Sequence, residues 1–505
     1  MKKSLSATIR DLNADEVSIE VNFLRGLPRI NLVGLASSEV KESVERVRSA
    51  ISESGFRLPP KVITINLSPS EIKKSGSHFD LGIALLIAMF DDDEVDFSDW
   101  HIFGELGLDG SVKDSNAIFP AILSLKRENK IKKVLIPKAS VSKVSQIPDI
   151  EIYGVGTIAE AVDHFKGIVT LKPTIGNELS SESMKIFEKS FHFIREFPLD
   201  FDQVFGQNVA KRASTIAVSG LHNMILEGSP GSGKSMIAKR LQYVLPPLQK
   251  DEILDIAKFE ALNGENPNFL PKRPFRSPHH TASKGSIFGG GTRTAKIGEV
   301  SMANSGILFF DELPHFTKQI LEAMREPLQD YSILISRVNS KIEYPADFLF
   351  VGAMNPCPCG YLMSKTKSCR CTDYEIRKYQ NILSEPFWDR IDLYVAMDEV
   401  SPEDKGGITS NEIFGKMLEA FYKQIERGQT KLNGRLDERD LEQFSRISER
   451  GLEVLKRGSE RFGLSLRGMN KVKKVARTIA DLDSAKDIEK SHILEAFSYR
   501  RRNSS

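Results

Sequence analysis

The sequence predicts an α/β fold organised around a phosphate-binding loop, and three observations carry that expectation. Residues 228–235 read GSPGSGKS, the G-x-x-x-x-G-K-[ST] pattern, between an apolar run (Met224, Ile225, Leu226) and a helical pattern beginning MIAKRL. The pattern needs that strand–loop–helix setting, because its glycines let backbone N–H groups close around phosphate oxygens at a helix start. Residues 307–312, ILFFDE, form an apolar run that ends in two carboxylates. A buried parallel strand delivers acids in this way at its carboxyl end, where α/β folds bind ligands. Finally, short apolar runs alternate with helical stretches through the first third of the chain.

Taken in order, residues 1–168 hold the runs VSIEVNFL, INLVGL, KVITINLSP, KVLIPK and IEIYGVG, with SSEVKESVERVRSAISES as a helical stretch. They read as one α/β domain. Residues 169–195 are polar with Pro, Gly and Ser and read as a linker. Residues 196–400 form the nucleotide module. Residues 401–505 read as helical: Thr409 and Glu412 make a capping box ahead of IFGKMLEAFYKQIERG, and three further helical patterns follow.

The chain of 505 residues carries 40% hydrophobic and 27% charged residues and a net charge of +2. That describes an ordinary globular chain with several cores and no bulk polyanion-binding character, so nucleic-acid contact must come from local patches. The start, MKKSLSATIR, has basic residues without a following apolar stretch, so no signal peptide is read and the expected location is the cytoplasm. The longest apolar run, Leu81 to Phe90, is too short to span a membrane and reads as a core helix.

In the loop, Gly228, Ser229, Pro230, Gly231, Ser232 and Gly233 are expected to cradle the phosphates of ATP, with Lys234 on the β/γ-phosphates and Ser235 on Mg²⁺. Asp311 is placed to hold the Mg²⁺ through water, and Glu312 to orient or activate the attacking water. Asn355 ends another apolar run, FVGAMNP, where its amide can reach the γ-phosphate or serve only as a turn residue. Arg390, flanked by Asp389 and Asp392, has two readings: a local ion pair, or an arginine finger completing a neighbour's site.

Cys357, Cys359, Cys369 and Cys371 are the four cysteines, in a C-x-C-x9-C-x-C pattern. They suit structural zinc, with reduced or redox-active thiols as the alternative. The insert 272–306 carries Arg273, Arg276, His279, His280, Lys284, Arg293 and Lys296; it reads as a plain surface loop or, since long polar inserts in compact cores are usually functional, as a subunit contact or substrate grip. The paired histidines lack a third ligand and are not read as a metal site. Residues 331–350 read as a hairpin whose tip, with Arg337 and Lys341, is a solvated turn or a phosphate contact. Basic clusters at Lys471, Lys473, Lys474 and Arg477, and at Arg500 to Arg502, are DNA contacts or solvated faces.

Several stretches together resemble the ComM/YifB family of magnesium-chelatase-related AAA+ ATPases, across nearly the whole chain. They are DFDQVFGQNVAKRAS (200–214), GSPGSGKS, RPFRSPHHTAS (273–283), GEVSMANSGILFFDELPHF (298–316), AMNPCPCG (353–360), CRCT (369–372), FWDRIDL (387–393) and LSLRGMNKVKKVARTIADL (464–482). The resemblance implies an AAA+ P-loop ATPase core with an N-terminal Lon-protease-like α/β domain and a C-terminal helical lid. It implies that Asn355 is the sensor-1 residue, Arg390 the arginine finger and Arg467 the sensor-2 arginine, and that the adenine pocket begins at Gly206-Gln207. Trp388 departs from the family's Leu before Asp389.

The family's activity implies a homohexameric ring, assembled with ATP, that acts on single-stranded or branched DNA as a branch-migration motor in natural transformation. No membrane is involved in that activity. A chelatase-like remodeller of a protein partner is the alternative, and a binding module in which ATP sets assembly alone is a third reading. In the Lon-like domain, the relative's catalytic lysine is replaced by Asp114, Ser115 or Asn116, so acyl chemistry has no base and a non-proteolytic scaffold is expected.

Overall fold

The computed structural model describes residues 1–176, 181–290, 296–336, 341–401 and 403–501. The chain divides into two compact units. The first comprises Met1–Ser180 together with Ala257–Phe269, and the second Ser181–Ile256 with Leu270–Ser505.

The first unit is built on an eight-stranded mixed sheet. Its longest pair, Lys2–Arg10 and Asn13–Leu24, is an antiparallel hairpin, and Asn13–Leu24 also pairs antiparallel with Val62–Ser68. Beyond the hairpin, Lys133–Pro137 and Glu151–Val155 run parallel. The apolar run noted above becomes the helix Asp80–Ala88, buried from Asp80 through Ile87. Its side chains join Ile19, Val21, Ile63 and Ile65 of the sheet in one core. Residues 257–269 belong to this unit despite their distance in sequence: Phe269 packs edge-on to Phe119, and Lys258 Nζ reaches Asn13 Oδ1 at 3.5 Å.

The second unit holds a five-stranded parallel sheet in the order Phe275–Arg276, Ile307–Phe310, Leu349–Met354, Met224–Gly228, Leu393–Met397. Every residue of Met224–Gly228, Ile307–Phe310 and Leu349–Met354 is buried, which explains why these strands read as apolar runs, broken only by Glu227. The helices Asn208–Gly220, Ser410–Glu426, Glu449–Phe462, Leu466–Leu482 and Lys490–Ser498 share one hydrophobic cluster with this sheet. The Thr409–Glu412 capping box is present: each side chain bonds the other's backbone N–H, satisfying donors that a helix start leaves unpaired.

The expected linker is a correction. Within 169–195, Glu182–Ile186 and Lys189–Phe193 form a hairpin, and Lys189–Phe193 also pairs with Leu248–Gln249. Phe191 and Ile186 bury into the second unit's core, so alternating apolar residues outweigh the polar composition there. Strands Ser332–Ser336 and Lys341–Pro345 form the expected hairpin. Its tip, including Arg337, lies outside the described residues, as do Arg293 and Arg502. Lys341 is exposed. Among the described residues, no helix is long and apolar enough to cross a membrane.

Candidate nucleotide site

The phosphate loop leaves the carboxyl end of Met224–Gly228, between the strands Leu349–Met354 and Leu393–Met397. Gly233 caps the helix Lys234–Leu241 at φ +94°, a left-handed conformation that a side chain would oppose. The helix therefore starts with its free N–H groups at the loop. The hydroxyls of Ser229 and Ser232 are buried without a hydrogen-bond partner. A buried donor left unpaired costs about 1–3 kcal/mol, so a loop that leaves two of them is suited to an oxyanion ligand.

Lys234 Nζ donates to Gly228 O at 2.6 Å, Ser229 O at 3.0 Å and Asn355 Oδ1 at 3.2 Å. Burial lowers its pKa, opposed by the carboxylates of Asp311 and Glu227. Ser235 Oγ donates to Asp311 Oδ2 at 2.8 Å. The hydroxyl and carboxylate that suit Mg²⁺ are therefore together, as are the lysine and the amide that suit a γ-phosphate. Residues 228–235, Asp311 and Asn355 thus converge on one place.

Glu312 takes φ +51°, an unfavourable conformation for a non-glycine residue and one that clusters at functional sites. Its Oε2 lies 3.2 Å from His315 Nδ1 and 3.5 Å from His280 Nδ1. The sequence offered no sign of His280 as a partner, because its approach depends on where the 272–306 insert folds back; His315 stands only three residues after Glu312. Two further groups went unread. Glu227 is buried beside the loop, its pKa raised by burial and its carboxylate bonded by Tyr394 Oη. Tyr379 is buried close to the backbone of Asn355, and burial pushes its pKa up to about 12.

Arg390 and Arg467 are not brought to this loop. Together they line a cavity of about 460 Å³ with Asp330, Asp389, Asp392 and Lys471, and no phosphate-loop residue borders it. Arg390 donates to Arg325 O at 2.9 Å, Pro386 O at 2.5 Å and Gln329 Oε1 at 2.5 Å. Neither flanking carboxylate forms the local ion pair considered from sequence; Asp392 instead bonds Lys471 at 2.8 Å. The unusual Trp388 is buried and carries the Arg501 guanidinium over its ring at 4.3 Å. Gln207 donates through Nε2 to Asp398 O at 2.6 Å.

Four members of the basic clusters, Lys471, Lys474, Arg477 and Arg500, are engaged within the fold, which corrects both readings made from sequence for those four. Lys471 pairs with Asp392, Lys474 reaches Gly434 O at 3.4 Å, and Arg477 is buried on Asp481, Ala485 O and Lys486 O. Arg500 donates to Ile391 O. In the insert, Arg273 is buried on three carbonyls, Pro246 O, Pro247 O and Ser305 O, so it anchors the chain rather than gripping a ligand. Arg276 pairs with Glu299 through two bonds.

The four cysteine sulfurs all lie within 4.8 Å of one another. Cys357, Cys359 and Cys369 are separated by 3.4, 3.5 and 3.7 Å. A tetrahedral zinc with bonds of about 2.3 Å places its sulfurs about 3.8 Å apart, so the set fits that ion. Backbone N–H groups of Arg370 and Tyr361 pull the pKa of Cys359 down to about 6, whereas desolvation and the neighbouring sulfurs raise that of Cys369 and push that of Cys371 up to about 12, so a metal that binds all four must displace protons. Among the described residues it is the only such cluster.

In the first unit, Asp80 is buried against Arg46 at 2.7 Å, and Asp114 accepts from Ser140 Oγ at 2.6 Å and Lys143 Nζ at 2.8 Å.

Comparison with known proteins completes the picture. Residues 200–405 match the family described as magnesium chelatase, subunit ChlI; residues 19–140 match subunit ChlI of Mg-chelatase, and residues 407–500 its C-terminal part. The competence protein ComM of Haemophilus influenzae is 36% identical over 498 residues, covering 97% of this chain and 95% of that protein. The chain belongs to the ComM/YifB family of magnesium-chelatase-related proteins. YifB of Escherichia coli is likewise 36% identical, over 502 residues, with 97% and 95% covered. A magnesium-chelatase subunit ChlI homolog of Methanocaldococcus jannaschii is 22% identical over 267 residues, 48% of this chain and 67% of that protein. Magnesium-chelatase-family domains are AAA+-like ATPases, and the mixed α/β second unit with its parallel sheet is consistent with such a core.

Proposed function

We propose that this protein is an ATP-driven ring motor that acts on DNA and moves strand junctions, in support of integrating incoming DNA. The nucleotide half of the reading is carried by the convergence of Lys234, Ser235, Asp311 and Asn355 at one loop. The DNA half draws on the 36% identity, over nearly the full length, to a protein named for competence.

In the proposed cycle, the loop amides and Lys234 bind the β- and γ-phosphates of MgATP, Ser235 and Asp311 hold the metal, and Asn355 aligns the γ-phosphate. Glu312 takes up the attacking water once its carboxylate leaves His280 and His315. Arg390 and Arg467 share a cavity away from the loop, so they act on the nucleotide of a neighbouring subunit. This requires a closed ring, for which a hexamer is our reading. Zinc on the four cysteines is part of the same proposal.

The inward-turned basic clusters leave the DNA grip to other segments, with the hairpin Ser332–Ser336 and Lys341–Pro345 the foremost. The test is a labelled branched-DNA substrate incubated with protein and ATP. Resolution of the junction by the wild type and its loss in Glu312→Gln support the reading. An inert junction beside active ATP hydrolysis would favour a chelatase-like remodeller of a protein partner, which the matching family itself suggests.

A further inference from the structure

The cysteine cluster is joined to the nucleotide site by the chain that separates them. Asn355 precedes Cys357 by two residues, and the turn from Cys357 to Gly360 is closed by Gly360 N–H donating to Cys357 O at 3.0 Å. Gly360 takes φ +83°, and a Cβ there would lie 2.7 Å from Pro230 Cδ of the phosphate loop. The turn therefore rests directly against the loop. After Cys371 the chain enters the helix Asp373–Gln380, started by a Thr372–Glu375 capping box. That helix returns to the same place: Tyr379 lies close to the Asn355 backbone, and Gln380 Nε2 reaches Pro356 O at 3.4 Å. Asn355 is thus held from behind by the turn and the helix, and its side chain meets Lys234 in front.

The four cysteine sulfurs at the two ends of this loop lie within 4.8 Å of one another. Without a metal, no bond joins Cys357 and Cys359 to Cys369 and Cys371. With one, the turn is fixed against Pro230 and behind Asn355. We propose that the four-cysteine cluster is an allosteric metal site: zinc bound there sets the position of Asn355 and the phosphate loop, so that zinc and nucleotide bind cooperatively. The proposal rests on the zinc reading given above. Coupling between two sites is reciprocal, so each ligand raises the other's affinity by one factor, commonly 5–150-fold. Removal of zinc, or oxidation of the thiols, would then release nucleotide.

The test uses the full-length protein. Zinc content is measured by elemental analysis. The affinity for a fluorescent ADP analogue is measured with Mg²⁺ in excess, before and after extraction with a zinc-selective chelator and after zinc is restored. About one zinc per chain, a roughly tenfold weaker affinity on extraction, recovery on restoration, and slower extraction with nucleotide bound are the expected results. Bound zinc with an unchanged nucleotide affinity overturns the coupling and leaves the metal reading standing. A protein that holds no zinc, and takes none up on titration, overturns both.

Because extraction can also loosen the fold, Gly360→Ala gives a second measure. It keeps all four cysteines but presses on Pro230, so zinc is retained while nucleotide affinity falls. An affinity equal to wild type contradicts the proposed contact.

Discussion

His222 allows a quantitative test of the packing beneath the Arg390 cavity. Its ring is fully buried, with Nε2 2.7 Å from Thr478 Oγ1 and Nδ1 3.9 Å from Asp392 Oδ2. Burial pulls its pKa from 6.5 down to about 4, against the attraction of Asp392. The unfolded chain therefore binds a proton between pH 6.5 and 4 that the folded unit refuses. The gap is worth roughly 3 kcal/mol, present in full above pH 6.5 and lost as pH falls toward 4; at pH 5 about 2 kcal/mol is gone. Asp392 does not blur this window, because the neighbouring cations and its bond from Lys471 hold it near 2 despite burial.

The perturbation is His222→Gln, followed by urea unfolding from pH 7 to 5. The chain has two tryptophans, Trp100 and Trp388, one in each unit. In a Trp100→Phe background, Trp388 fluorescence follows the second unit alone. Wild type should lose about 2 kcal/mol more than the variant between pH 7 and 5, whatever the variant's absolute stability. Parallel pH curves would refute the claim that His222 is held neutral by burial.

Three further outcomes are expected. Lys234→Ala removes nucleotide binding while leaving thermal unfolding near wild type, checked by titration of a fluorescent nucleotide; retained binding would sink the phosphate-loop assignment. Glu312→Gln binds ATP but turns it over about 10²–10⁴-fold more slowly, since the amide cannot accept a proton. Arg390→Ala binds ATP with turnover reduced about 10³-fold or more. Mixing it with Glu312→Gln subunits restores part of the rate, because one interface in the mixture has both groups; a mixture as slow as its parts contradicts action between subunits.

The local motifs were legible because their chemistry is contiguous. The strands before the loop 228–235, before Asp311 and before Asn355 lie where the sequence placed them, and the helix start at Thr409 follows from two residues three apart. What failed depends on partners that folding supplies. Lys471 and Arg477 look like surface charge until Asp392, 79 residues away in sequence, and Asp481 are placed against them. The hairpin 182–193 hides in polar composition because its buried face is only a few alternating residues. Of Glu312's two histidines, His280 came from an insert whose path no periodicity announces, while His315 stands three residues on from Glu312 itself. Arg390 and Arg467 were identified by motif, but their shared cavity away from the loop is a fact of tertiary structure.

The central claim is that ATP hydrolysis here is coupled to DNA. The most direct measurement is the steady-state ATPase rate with no DNA and with single-stranded, double-stranded and branched DNA, each at two salt concentrations. The account predicts strong stimulation, greatest with branched or single-stranded DNA and weakened at higher salt as phosphate contacts are screened. A rate indifferent to every DNA at both salt concentrations would contradict it.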